Sequence, residues 1–231
     1  MTAASPGVVA GFLQDRYYGS EEAYVYALAD ALKEEYDRIF HAGFLLQVDC
    51  PDLTMNGLRR HQHAGLSPRE FIKMAELHVE ALNHALRDIP PDRIRLHLCW
   101  GNYEGPHHLD TPLKEIIGIA FKARPSALSF EGANPRHGHE WKLFEDMRLP
   151  EGKVLIPGVL DSTTNFIEHP ELVQQRILQY VGLVGRENVI AGTDCGFAHF
   201  ATSTPRVDPR IAWAKLEAMA EGARRASEEL W

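Results

Sequence analysis

In the stretch RLHLCWGN, residues 95–102, a strand-like run gives way to Trp, Gly and Asn, as a buried strand does where it ends. Side chains alternate between the two faces of a strand, so His97 and Cys99 point to the same face and can reach one ion. A lone His-x-Cys pair is more often buried packing than a metal site, because free cysteine packs like a small hydrophobic residue. The pair therefore needs further ligands elsewhere in the chain.

Two more donors stand at the same kind of boundary. Glu131 follows the apolar run of LSFEGANP, residues 128–135, and Cys195 follows that of IAGTDCGF, residues 190–197. A set of one His, two Cys and one Glu suits tetrahedral Zn²⁺, whereas Mg²⁺ and Ca²⁺ require oxygen ligands. The sequence therefore predicts a zinc site formed by His97, Cys99, Glu131 and Cys195.

Composition favours a single globular domain over residues 1–231, with 45% hydrophobic and 24% charged residues. The formal net charge of -8 argues against general affinity for nucleic acid, so a small-molecule partner is expected. Neither an apolar run of about 18 residues nor a secretory leader is visible, so we expect no membrane association. We therefore expect a cytoplasmic location. The three widely spaced cysteines do not make a disulfide framework, and a reducing compartment would keep their thiolates available for metal.

Strand-like and helical segments alternate along the chain, which predicts βαβ units and an α/β fold with a parallel sheet. Clear strand-like runs cover residues 44–49, 94–99, 127–131, 154–161 and 189–195, and a sixth is predicted at residues 8–13. Helical patterns cover residues 20–42, 67–86, 113–123, 139–147, 170–184 and 208–229.

The polar residues at the strand ends favour a (β/α)₈ TIM-type barrel, because one ion touches three strands only where strands converge in a ring. An open doubly wound sheet is the alternative, but the chain has no G-x-G-x-x-G or P-loop motif. A closed barrel needs eight strands, but only about six are predicted in this chain. We therefore expect the first strands of the barrel to be absent. The gap on the N-terminal side would be filled by a partner chain, such as a second copy covering the open barrel edges, by irregular structure, or by residues absent from this gene product.

Five segments, in the same order, resemble the C-terminal catalytic barrel of the cobalamin-independent methionine synthase family. This family has short stand-alone homologues and is related to the zinc-dependent epoxyalkane:coenzyme M transferase. The resemblance implies that His97, Cys99, Glu131 and Cys195 bind Zn²⁺ and that Asp49 binds the amino group of the substrate. The segments are LLQVDCPDL (45–53), RLHLCWGN (95–102), LSFEGANPR (128–136), VLIPGVLDS (154–162) and VIAGTDCGF (189–197).

The activity that this resemblance implies is methyl transfer from 5-methyltetrahydrofolate, or a related donor, to the zinc-bound thiolate of homocysteine. The chain departs from the family at two positions. Cys50 stands where the family usually has Glu, and Thr163 stands where the synthase has a His thought to act as an acid. His169 is too distant in sequence to take that role, so the catalytic acid is unassigned.

Other polar residues at the strand ends are candidates for lining a substrate pocket. Arg136 either pairs with an anionic substrate or is an exposed loop residue, and Asp194 is a candidate for orienting a ligand or a loop. We interpret His61 and His63 as loop residues without a catalytic role. The remaining candidates for substrate binding are Trp100, Asn102, Asn134 and Asp161.

Two alternatives stay open. In the first, the same zinc-thiolate chemistry uses another electrophile, such as an epoxide, and another thiol, such as coenzyme M. In the second, a shortened barrel binds zinc or a partner without turnover.

Overall fold

The structure is a computed structural model that describes residues 1–55, 66–198 and 206–231. His61 and His63 lie outside the described residues. Within these ranges, strands alternate with helices, which confirms the predicted α/β class. The strands are β1 (Thr2–Ala4), β2 (Leu46–Asp49), β3 (Ile94–His97), β4 (Ala127–Phe130), β5 (Val154–Leu160) and β6 (Gly192–Thr193). The α-helices are α1 (Pro6–Phe12), α2 (Glu21–His41), α3 (Pro68–Ala85), α4 (Leu113–Ala120), α5 (Leu143–Asp146), α6 (Pro170–Val184) and α7 (Pro209–Leu230).

The chain divides into two compact units. Unit 1 consists of Met1–Trp100 and Leu109–Leu128, and unit 2 consists of Gly101–His108 and Ser129–Trp231. In unit 1, β2 pairs in parallel with both β1 and β3, and the register sets Asp49 opposite His97. In unit 2, β5 pairs in parallel with β6, with Gly158 opposite Gly192.

The two long helices of unit 1 begin and end where the sequence predicts. The hydroxyl of Ser20 accepts the N–H of Ala23 at the start of α2, and Gly43 follows the helix with a φ of 87°. At α3, Ser67 and Glu70 form a capping box in which each side chain binds the other's backbone N–H. These local bonds stabilise the helix ends without any distant contact.

The strand predicted at residues 8–13 is wrong, because residues Pro6–Phe12 form α1 and the strand is Thr2–Ala4. The hydroxyl of Ser5 accepts the N–H of Val8, and Pro6 occupies the first helical position. The cap and the proline therefore outweigh the β-branched pair of valines that suggested a strand. The strand predicted at 189–195 is shorter than expected. It consists of Gly192–Thr193, and a single bridge joins Val189 to Leu155.

Each unit has its own apolar core. In unit 1, Leu46, Val48, Ile94 and Leu96 are fully buried on β2 and β3, which places these strands beneath the helices. Burying each such side chain contributes roughly 1.5–3 kcal/mol.

The core of unit 2 lies between β5, α6 and α7. It contains Val159 and Leu160 from β5, Val173 and Ile177 from α6, and Ala226 from α7. No helix among residues 1–55, 66–198 and 206–231 has the length and apolarity needed to cross a membrane.

Candidate metal and substrate site

In unit 1, His97 and Cys99 lie at the carboxyl end of β3. His97 is the last residue of the strand, and a ring nitrogen of His97 and the Sγ of Cys99 lie within 4.8 Å of each other. His97 is buried and Cys99 is half-buried. The hydroxyl of Thr54 donates to the carbonyl oxygen of Cys99, which holds the backbone just beyond the strand. His97 therefore ends the strand, and Cys99 lies two residues beyond it on a backbone that Thr54 holds.

Asp49 is the neighbour of His97 on the adjacent parallel strand. Its Oδ1 lies 3.9 Å from Nε2 of His97. Burial raises the pKa of Asp49 to about 6, while His97 lowers it and the charges of Cys99 and Asp52 add to the rise. Asp49 is thus an anion above about pH 6, suited to accept hydrogen bonds from an ammonium group.

Cys50, the next residue, has a different environment. Its side chain is fully buried, and its Sγ faces the carbonyl oxygen of Val48 at 3.8 Å. Burial raises the pKa of the Cys50 thiol well above its ordinary value, which keeps it protonated. The thiol of Cys50 is therefore packed as a hydrophobic group.

In unit 2, Glu131 and Cys195 form a second pair of donors. Both are buried, and the Sγ of Cys195 donates to Oε1 of Glu131 at 3.7 Å. The other carboxylate oxygen, Oε2, accepts from Nδ2 of Asn134 at 2.7 Å and from Nη2 of Arg136 at 2.8 Å. The sequence suggested that Arg136 either pairs with an anionic substrate or is exposed in a loop. In the structure it instead forms an ion pair with Glu131.

Asp194 organises the loop that follows β4. One of its oxygens accepts the N–H groups of Gly132 and Ala133, each at 2.8 Å, and the other accepts the N–H of Asn134 at 2.8 Å. Burial raises the pKa of Asp194, and the same hydrogen bonds oppose that rise. Gly158 permits this arrangement, because a Cβ there would lie 1.9 Å from Oδ1 of Asp194. Asp194 therefore orients the loop next to Glu131, as one of the two sequence interpretations proposed.

A second network in unit 2 fixes the backbone around Cys195. The hydroxyl of Ser162 accepts the N–H of Cys195 at 3.1 Å and donates to Oδ1 of Asn102 at 2.9 Å. Asn102 in turn donates through Nδ2 to the carbonyl oxygen of Gly196 at 2.5 Å. Ser162 was missed from the sequence, although it follows Asp161 directly in the VLIPGVLDS segment.

Two predicted substrate residues have their polar atoms engaged within the fold. The indole N–H of buried Trp100 donates to the carbonyl oxygen of Thr111 at 2.7 Å. The carboxylate of Asp161 accepts the N–H of Thr163 at 2.9 Å and the hydroxyl of Thr164 at 2.7 Å, forming a turn after β5. A role for either residue in substrate binding stays a prediction.

The donor atoms within each unit suit a zinc ion. Zinc bonds of about 2.0–2.3 Å in tetrahedral geometry place neighbouring ligand atoms roughly 3.5 Å apart. The separation of Cys195 Sγ and Glu131 Oε1, 3.7 Å, agrees with that spacing, and the His97 and Cys99 donors lie within 4.8 Å. Sulfur, imidazole and carboxylate donors are also the ligand types that zinc takes in proteins.

The chain is similar to curated methionine synthases along its whole length. The protein from Saccharolobus islandicus is 26% identical over 233 residues, and that from Saccharolobus solfataricus is 24% identical over 234 residues. Each alignment covers 100% of this chain and 59% of the relative, so the chain spans about three fifths of the curated proteins it matches. No protein-family model matches the chain.

A solved structure shows the same fold. The B12-independent methionine synthase from Shewanella sp. W3-18-1, in complex with selenomethionine, superposes with a TM-score of 0.75. The match covers 99% of this chain and 62% of that one at 20% identity. This likeness confirms the predicted (β/α)₈-type barrel fold, with six strands among the described residues. In sequence and in fold, the chain is thus similar over its whole length to the cobalamin-independent methionine synthases, as its five sequence segments indicated.

Proposed function

We propose that this chain is a zinc-dependent methyltransferase of the methionine synthase type, acting on the thiol of homocysteine. Whole-length similarity to curated methionine synthases supports the proposal. The observation that carries it is the pair of buried donors Cys195 and Glu131, 3.7 Å apart, in a chain that also has a His-x-Cys pair at a strand end. Those four residues, two of them cysteines, favour sulfur chemistry over hydrolysis, since hydrolytic zinc sites use His and carboxylate ligands with an open water position.

The proposed zinc ligands are His97, Cys99, Glu131 and Cys195. A zinc ion bound there would lower the pKa of a substrate thiol and keep the resulting thiolate nucleophilic. The protein contributes the geometry of the donors. His97 ends β3, and Thr54 holds the backbone at Cys99, two residues on. The Asp194 and Ser162 networks hold the segments that bear Glu131 and Cys195.

Substrate recognition is proposed to involve the amino-acid part of homocysteine. Asp49 presents a half-buried carboxylate for the ammonium group, consistent with the bound selenomethionine in the Shewanella protein. Asn102, Asp161 and Trp100 stay proposed pocket residues, as do Asn134 and Arg136, which both contact Glu131. The proposed methyl donor is 5-methyltetrahydrofolate or a related carrier, and the proposed location is the cytoplasm.

Metal analysis of protein purified without chelator tests the proposal. We expect close to one zinc per chain in the wild type and loss of the metal in Cys99→Ser and Cys195→Ser. Cys50→Ala is the matched control, because the Cys50 thiol is buried against Val48, and it should retain zinc. Wild-type protein that stays free of zinc when zinc is supplied would contradict the proposed metal site.

A methyl-transfer assay separates the proposed substrate from the alternatives. Homocysteine with 5-methyltetrahydrofolate should give methionine, and coenzyme M with an epoxide should give little product. The reverse preference would identify the alkyltransferase, and zinc binding without either reaction would identify a non-catalytic protein.

A further inference from the structure

The ion pair between Arg136 and Glu131 joins a half-buried guanidinium to a buried carboxylate. Their side chains are 20% and 3% exposed, and Nη2 of Arg136 lies 2.8 Å from Oε2 of Glu131. Nδ2 of Asn134 reaches the same oxygen at 2.7 Å. Both donors therefore act on Oε2, while Oε1 is the oxygen directed at the Sγ of Cys195.

The turn that carries these donors is itself fixed. Oδ1 of Asn134 accepts the N–H groups of Arg136 at 3.0 Å and His137 at 3.1 Å, and Asp194 holds the Asn134 backbone. Because Asn134 is bound at both ends of its side-chain amide, its orientation is determined by the loop. Arg136 consequently approaches Glu131 from a defined direction.

We propose that Arg136 is a positioning residue that holds Glu131 by Oε2 and makes it a weak, displaceable ligand to the metal. This inference rests on the function proposed above. A carboxylate that shares its charge with a guanidinium and an amide has less charge to donate to a metal ion. When a substrate thiol takes its place, the carboxylate keeps its partner and is not left as an unpaired buried charge, which would be costly.

Arg136→Met removes this partner while keeping an unbranched side chain. Glu131 should then hold the metal more firmly, and the thiol should compete less well. We expect half-saturation with thiol to require roughly ten- to hundredfold more homocysteine, since a hydrogen bond to a charged group is worth about 1.5–3 kcal/mol and each tenfold is about 1.4 kcal/mol. Arg136→Lys, which retains the charge, should recover much of the wild-type response.

The measurement is a thiol titration of cobalt-substituted protein, in which sulfur-to-cobalt charge-transfer absorption reports each thiol bound. Mercaptoethanol is titrated beside homocysteine, because it has no carboxylate for Arg136 to contact. The weaker thiol binding predicted for Arg136→Met should appear with both thiols. An effect confined to homocysteine would overturn the inference and return Arg136 to substrate binding.

A double-mutant cycle with Glu131→Gln separates loss of the Arg136–Glu131 ion pair from a general effect of Arg136→Met on folding. In the Glu131→Gln background, Arg136→Met should have little further effect on thiol affinity, because the charge that Arg136 balances is gone. Arg148→Met, at an exposed arginine, should behave as wild type. An equal effect of Arg136→Met in both backgrounds, or none in the wild type, overturns the inference alone. Wild-type protein that binds no thiol overturns the proposed function and this inference together.

Discussion

At the scale of single residues, Asp194 illustrates how one buried charge can fix a loop. Its carboxylate accepts N–H groups from three consecutive residues, Gly132, Ala133 and Asn134, and its side chain is almost completely buried. In the sequence, only its place next to Cys195 makes Asp194 a candidate. The backbone groups that it binds lie about sixty positions earlier in the chain, and no local pattern reveals such a distant partnership.

Asp194→Asn should destabilise the protein. The substitution replaces one carboxylate oxygen, which accepts N–H groups of the loop, with an NH₂ group, which can only donate. We expect a loss of roughly 2–4 kcal/mol in the free energy of unfolding, measured in urea. Asp146→Asn, at an exposed position, is the control and should change stability by less than about 0.5 kcal/mol. Equal stabilities for the two variants would contradict the role assigned to Asp194.

His78 gives a pH-dependent prediction in unit 1. Burial alone lowers its pKa, but hydrogen bonds to Asp52, at 3.0 Å, and to Glu21 outweigh burial and raise the pKa to about 9. A raised pKa means that the protonated form stabilises the fold fully below the unfolded value of about 6.5, and that this stabilisation is lost as pH rises through about 9.

Unfolding in urea at several pH values checks this expectation. Wild-type stability should fall between about pH 6.5 and pH 9, and His78→Gln should lack that component of the decline. A variant that keeps the same pH dependence as the wild type would show that His78 is not the group responsible.

At the scale of elements, the sequence was most informative where local chemistry determines structure. The caps at Ser20 and Ser67 predicted α2 and α3 closely, and α6 begins and ends as predicted. The prediction failed at residues 8–13, where the Ser5 cap and Pro6 start a helix that the apolar run concealed. The short β6 was overestimated because apolar composition does not reveal how much of a segment pairs with its neighbour.

Packing between elements is likewise invisible to local patterns, and Gly158 on β5 provides a test. The methyl group added by Gly158→Ala would overlap Oδ1 of Asp194, so the carboxylate or the strand must move. We expect destabilisation of about 1–3 kcal/mol or more in urea unfolding. The control is Gly182→Ala in α6, where nothing lies within 4 Å of the added Cβ and stability should rise by up to about 1 kcal/mol. A neutral Gly158→Ala would contradict the close contact.

At the scale of the whole molecule, the proposed metal ligands are His97, Cys99, Glu131 and Cys195, which are spread over about a hundred residues of the sequence. Residue types and their places at strand ends predict this set, and the set stays a proposal. Sequence could not reveal the contacts that orient it, such as those of Arg136 and Ser162, because these depend on the folded loops. That a single domain forms, and that copies of the chain associate, stay predictions that sedimentation and limited proteolysis can test.

Metal binding should couple to the stability of the whole chain, because an ion that binds only the folded state stabilises it. At a hundredfold excess over the dissociation constant, the gain is about 2.7 kcal/mol. Chelation should therefore lower the unfolding temperature of zinc-loaded wild-type protein and leave that of Cys195→Ser nearly unchanged. A similar shift in both would indicate that the chelated metal lies elsewhere.

X-ray absorption at the zinc edge tests the central claim most directly. The resting protein should show two sulfur ligands together with nitrogen and oxygen ligands, and adding homocysteine should replace the oxygen with a third sulfur. Zinc surrounded only by nitrogen and oxygen, or a two-sulfur site that stays unchanged at saturating homocysteine, would contradict the account.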